Sequence, residues 1–99
     1  MAARLMGLCA AGIWCGVAGA VHAEPLKIGM LTTLSGPNAA LGIDIRDGFA
    51  LGLEHLGGSL AGRETEVIEA DDQLKPDIAV QRAAELVERE EVDLVTGVV

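Results

Sequence analysis

From residue 24 onward the chain has no cysteine; its two cysteines are Cys9 and Cys15. Residues 24–99 therefore offer no disulfide, no thiolate metal site and no cysteine nucleophile. Aromatic residues are also scarce, with no tyrosine and only Trp14 and Phe49. Basic residues are outnumbered: six of the seven lie in residues 24–99 against all fifteen acidic ones, a net charge of −9 for that part. Nucleic acid and anionic membrane surfaces select basic faces, so neither is expected as a partner. Nucleotide-binding signatures are missing too. A dinucleotide site needs G-x-G-x-x-G at the opening of the first helix so that pyrophosphate can approach the backbone. The corresponding stretch here is Ser35-Gly36-Pro37-Asn38-Ala39-Ala40-Leu41-Gly42, where Pro37 removes a backbone donor and no P-loop lysine follows. No serine has a base near it in sequence, and His55 stands alone near a helix end, a surface residue. No enzyme chemistry and no cofactor are expected.

What is present begins with a leader. Met1 to Ala23 carries one basic residue, Arg4, then an apolar core from Leu5 to Ala20 rich in Gly and Ala, then Val21-His22-Ala23 in front of Glu24. Small or aliphatic residues at the minus-three and minus-one positions complete a secretory signal pattern, so cleavage is expected between Ala23 and Glu24. The core is short of the roughly 20 apolar residues of a membrane span. Lipid attachment at Cys9 or Cys15 does not fit, because Leu8 and Trp14 precede them where a small residue is required. The organisation read from sequence is a signal peptide over 1–23 and one incomplete domain over 24–99. The apolar run Val92 to Val99 stops without a turn signal, and the expectation is that the chain is a fragment.

The domain is organised around Lys27–Gly42. Ile28, Met30 and Leu31 interleave with Gly29, Thr32 and Thr33, an uncharged strand-length run suited to a central parallel strand buried on both faces. Ser35-Gly36-Pro37-Asn38 then turns the chain, and a helix is expected from Asn38 or Ala39. Its apolar stripe is Leu41, Ile45, Phe49, Leu53 and Leu56, with Phe49 and Leu53 in the core; Gly48 and Gly52 would allow close packing on the sheet, and Gly57-Gly58 ends it. Arg63 to Ala70 reads as a near-edge second strand, charged around Val67 and Ile68. Pro76 opens a second helix with Asp77 in its first turn; Ala79, Val80, Ala83, Ala84, Leu86 and Val87 form the expected buried stripe and Glu85–Arg89 an i,i+4 pair. Val92 to Val98 is the third strand. Strand, helix, strand, helix, strand with such crossovers predicts an α/β fold, a three-layer parallel sheet of strand order 2-1-3. Ligands bind beyond the carboxyl ends of such strands, which directs attention to Leu34–Leu41. Asp71-Asp72 admits a metal-binding or phospho-acceptor reading, but a solvated strand-end pair facing a turn is the simpler expectation, since receiver domains carry their acidic pair after the first strand.

In order and spacing, KIGMLTTLSGP, the glycine six residues after Gly36, the DGF-x-L-x-L-like helix, Gly57-Gly58, VIEADDQLKP, AVQRAAELV and VDLVTGVV resemble the periplasmic binding proteins of the leucine/isoleucine/valine type. The resemblance covers Lys27 to Val99. It implies the opening of the first lobe of a two-lobed periplasmic protein that closes on a small carboxylate-bearing ligand and delivers it to an ABC permease in the inner membrane. It further implies Ser35 and Gly36 at the lip of the cleft, Leu41 lining it and Asp71-Asp72 near the rim, with Asp72 the candidate contact. Leucine-type members have an aromatic residue where this chain has Leu41, so aromatic carboxylates, amides or other amino acids stand beside branched-chain amino acids as ligands. A sensory ectodomain of a membrane receptor, which reuses the fold, is the alternative.

Overall fold

β1 (Leu26–Thr32) is the axis of the molecule: Ile28 to Thr32 are all buried, as a strand covered on both faces requires. The structure is a computed structural model and describes residues 24–99, so the expected leader and its cleavage junction at Ala23 lie outside the described residues. After β1 come α1 (Ala39–His55), β2 (Ser59–Leu60), β3 (Arg63–Asp71), α2 (Pro76–Glu88) and β4 (Leu94–Thr96). The sheet order is β2-β3-β1-β4. β1 pairs in parallel with β3, Ile28 opposite Val67 and Thr32 opposite Asp71, and in parallel with β4, Ile28 opposite Leu94. The three expected strands thus follow the 2-1-3 order, although the third, expected over Val92 to Val98, is a strand only over Leu94–Thr96.

One strand was not anticipated. β2 pairs antiparallel with β3, Ser59 opposite Glu64 and Leu60 opposite Arg63, through a two-residue turn at Ala61 and Gly62 with φ of 52° and 77°. Two left-handed residues give a turn whose twist matches that of the flanking strands. The sheet is therefore parallel at its centre with a short antiparallel ribbon on one edge.

Successive residues of β1 serve opposite layers. Met30 faces the α1 side with Thr65 and Val67, whereas Gly29 faces α2, where an added Cβ would come within 3.0 Å of Leu86 Cδ1. Leu86 is the buried residue of α2. The stripe of α2 is narrower than its periodicity suggests: Ala79, Ala83 and Leu86 turn inward, while Val80 is 70% exposed and Val87 58%. Val80 and Val87 each sit one residue, about 100° of helix, past an inward position and fall on the flank. The Glu85–Arg89 pair does not form; Arg82 Nη1 donates to both carboxylate oxygens of Glu85 at 2.9 and 3.1 Å instead.

α1 approaches the sheet through a different glycine from the pair singled out in sequence. No atom lies within 4 Å of a Cβ added at Gly48 or Gly52, but one added at Gly42 would sit 1.8 Å from the Thr33 carbonyl oxygen. The helix touches the strand end backbone to backbone at its first turn. Further along it lifts away, so that Phe49 and Leu53 are half-buried rather than core. They line an open, mostly apolar cleft of about 460 Å³ with Met30, Val67 and Gly58. α1 ends at His55 with Leu56 as its cap, after which Gly57 and Gly58 take φ of 77° and 79° and the Gly58 amide closes on Leu53 O at 2.9 Å.

Candidate functional site

The loop joining β1 to α1 leaves the carboxyl end of the central strand, the end where open parallel sheets take ligands. Gly36 turns the chain with φ of 84°, and the Ala39 amide donates to Gly36 O at 3.2 Å. Asn38 occupies the cap position of α1 without a side-chain hydrogen bond to the helix. Leu41, 58% exposed, stands over a groove of about 450 Å³ lined also by Thr33, Pro37, Asn38, Ala40, Leu74 and Val99. Ser35 and Gly36 are exposed beside it. The groove is apolar with polar groups from Thr33 and Asn38, which suits an uncharged side chain better than a charged head group.

Beneath this loop the structure corrects the reading of Asp71-Asp72 as a solvated pair. Asp72 is 4% exposed. Its Oδ1 accepts from Thr33 Oγ1 at 2.6 Å and from the Leu74 amide at 2.8 Å, and its own amide donates to Thr32 O at 3.1 Å. A buried carboxylate needs such donors, because an unpaired one costs several kcal/mol. Asp71 reaches the other way. Its Oδ2 accepts from Ser35 Oγ at 2.6 Å, and its Oδ1 from the amides of Leu34 and Gln73, both at 2.9 Å. The Ser35 hydroxyl, aided by the Leu34 and Gln73 amides against a smaller cost of burial, holds the Asp71 carboxyl below the usual carboxylate range. Ser35 thus spends its hydroxyl on Asp71 and not on capping α1.

Both aspartates also shape the turn after β3. Gln73 and Leu74 are consecutive non-glycine residues in the left-handed region, with φ of 53° and 55°. Each amide is taken up by the aspartate two residues earlier, the Asx geometry that makes this backbone tolerable. Leu74, 50% exposed, is thereby held at the groove across from Leu41. Thr33 and Leu74 were not singled out in sequence, yet both line the groove and both bond to Asp72. The D-D pair following a β-strand was the visible signal, but its partners are 36 to 39 positions away. Among the described residues no cluster of His, Cys, Asp or Glu is arranged to hold a metal, and no helix is long and apolar enough to cross a membrane.

A mixed sheet, parallel at its centre and flanked by helices, defines part of an α/β domain. The family described as periplasmic binding protein matches residues 25–99, and the chain belongs to that family. Leu/Ile/Val-binding protein homolog 4 of Brucella abortus (strain 2308) is 41% identical over 76 residues, 75% of this chain and 18% of the relative. A solute-binding protein of a Rhodopseudomonas palustris ABC transporter, solved in complex with benzoate, superposes with a TM-score of 0.73 at 34% identity, covering 77% of this chain and 21% of that one. The branched-chain amino acid transporter substrate binding protein of Streptococcus pneumoniae, in complex with isoleucine, gives 0.66 at 27% identity over 73% of this chain and 21% of that one. The chain thus spans about a fifth of the length of these relatives. All three are named as binding proteins and none as an enzyme, in line with the absence of catalytic motifs from the sequence.

Proposed function

We propose that the chain is part of the extracytoplasmic solute-binding component of an ABC importer, and that residues 24–99 supply one wall of its ligand cleft. The observation that carries this reading is the loop at the carboxyl end of β1, anchored from below by Asp71 and Asp72 and opening on an apolar groove under Leu41. Family membership and the binding-protein relatives support it. In this reading Ser35 and Gly36 form the lip, Leu41 meets the ligand side chain, and Asp72 acts from beneath. The leader directs export and is removed between Ala23 and Glu24, and the loaded protein hands its ligand to an inner-membrane permease in the periplasm.

The ligand is an amino acid of branched-chain type or a related small carboxylate. Aromatic acids stand beside the aliphatic amino acids for a specific reason: the groove wall is an aliphatic leucine, and one relative holds benzoate. Titration calorimetry on the natural gene product that carries this chain, against leucine, isoleucine, valine, benzoate and 3,4-dihydroxybenzoate, tests both readings. Binding of at least one is expected, with the preference altered by Leu41→Trp. A protein that binds none of the five overturns the proposal, and an unchanged preference in the variant removes Leu41 from the cleft.

A further inference from the structure

The two aspartates do more than satisfy loop amides. Each Oδ1 is shared between two chain segments: that of Asp71 takes one donor from Leu34 and one from Gln73, and that of Asp72 takes one from Thr33 and one from Leu74. The loop after β1 and the turn after β3 are therefore tied to one another through both carboxylates. If either moved alone, a carboxylate would lose a donor, and for the buried Asp72 that loss falls in a site water does not reach. The Asp71–Ser35 bond extends the tie to the lip itself. Gln73 and Leu74 bear left-handed backbone with ordinary side chains, a conformation that persists only where the surroundings over-determine it.

We infer that Asp71 and Asp72 are positioning residues for ligand binding: they fuse the β1–α1 loop and the β3–α2 turn into one preformed corner that presents Leu41 and Leu74 at fixed spacing. This rests on the cleft reading given above. Neither aspartate touches the ligand; their effect passes through the loop, as a higher fraction of binding-competent protein. Loss of that preorganisation lowers apparent affinity by slowing association, while the rate of ligand escape from the assembled site stays the same.

The test is stopped-flow and calorimetric binding on the natural gene product with whichever of the five carboxylates it binds, alongside the melting temperature of the ligand-free protein. Asp71→Ala is expected to weaken binding about tenfold, and Asp71→Asn, which keeps the shared Oδ1 but loses the acceptor for Ser35, about threefold. Both losses should appear in the association rate. Asp72→Asn retains an oxygen for Thr33 and Leu74 and should bind nearly as the parent does. If Asp71→Ala does not fold, the isosteric Asp71→Asn decides alone. Variants that melt lower yet associate with ligand at the parental rate overturn the inference and leave the cleft reading standing. A parent protein that binds none of the carboxylates removes both.

Discussion

The two ends of α1 meet the sheet on opposite terms. At the first turn Gly42 lies against the Thr33 carbonyl with no room for a methyl group, and five side-chain hydrogen bonds converge on the loop and turn beside it. Toward the carboxyl end the helix stands off, Gly48 and Gly52 meet nothing, and Phe49 and Leu53 border an open cleft. The contrast teaches that the fold invests its precision at the strand ends, where a ligand is expected, and leaves the far half of the layer loosely filled. Salt bridges do not compensate there: Arg46 sits 3.6 Å from Glu69 with both side chains well exposed, worth under about 1 kcal/mol.

Substitutions along α1 can break that contrast. The largest effect is expected for Gly42→Ala, because the obstructing atom is backbone and cannot swing aside; urea denaturation of the natural gene product should show a loss of about 3 kcal/mol or more. A loss below about 1 kcal/mol would mean that the helix slides freely over the strand end. Phe49→Ala, at the loose end, should cost about 1–2 kcal/mol, less than a fully buried phenylalanine would, by the same measurement. Gly52→Ala should reverse the sign and raise stability by about 0.5–1 kcal/mol, since the site is open and alanine is the better helix former.

The smallest effect is one of pH. The folded Asp71 carboxyl is held low, chiefly by Ser35, so its contribution is present above the unfolded carboxylate pKa of about 3.9 and fades as pH falls through the lower folded value. Because Asp71 is only half-buried and solvent screens its charge, the expected change is a slightly flatter acid limb in Asp71→Asn than in the parent, measured by thermal melts between neutral pH and strong acid. An identical acid limb in the two proteins would show that the Ser35 bond contributes nothing to the ionised form.

The central strand could be read from sequence because burial on both faces leaves one unmistakable mark, an uncharged apolar run, and β1 carries it from Ile28 to Thr32. The start of α1 at Ala39 and its stop before Gly57 were legible for local reasons, turn residues and caps. Which glycine of α1 meets the sheet was not, because that depends on the angle at which the helix crosses, and Gly42 looks no different in sequence from Gly48. β2 escaped notice because two residues are too short for any period, although Gly62 marked its turn. Ser35, Gly36 and Leu41 could be placed from sequence in the loop and first helical turn after the central strand, and that is where the structure has them. Its foundation was not: a D-D pair reads as wet until Thr33 is seen to arrive from 39 residues away to bury Asp72.

Beyond the two pairs that β2 covers, the outer margin of β3 from Thr65 onward meets no neighbouring strand among the described residues. Such a margin invites aggregation through strand addition. Glu66 and Glu69 are exposed along it, so a second copy docking edge to edge would bring carboxylates together. The glutamates that break the apolar pattern of β3 thus act as an electrostatic guard, keeping an open side of the sheet from recruiting its own kind.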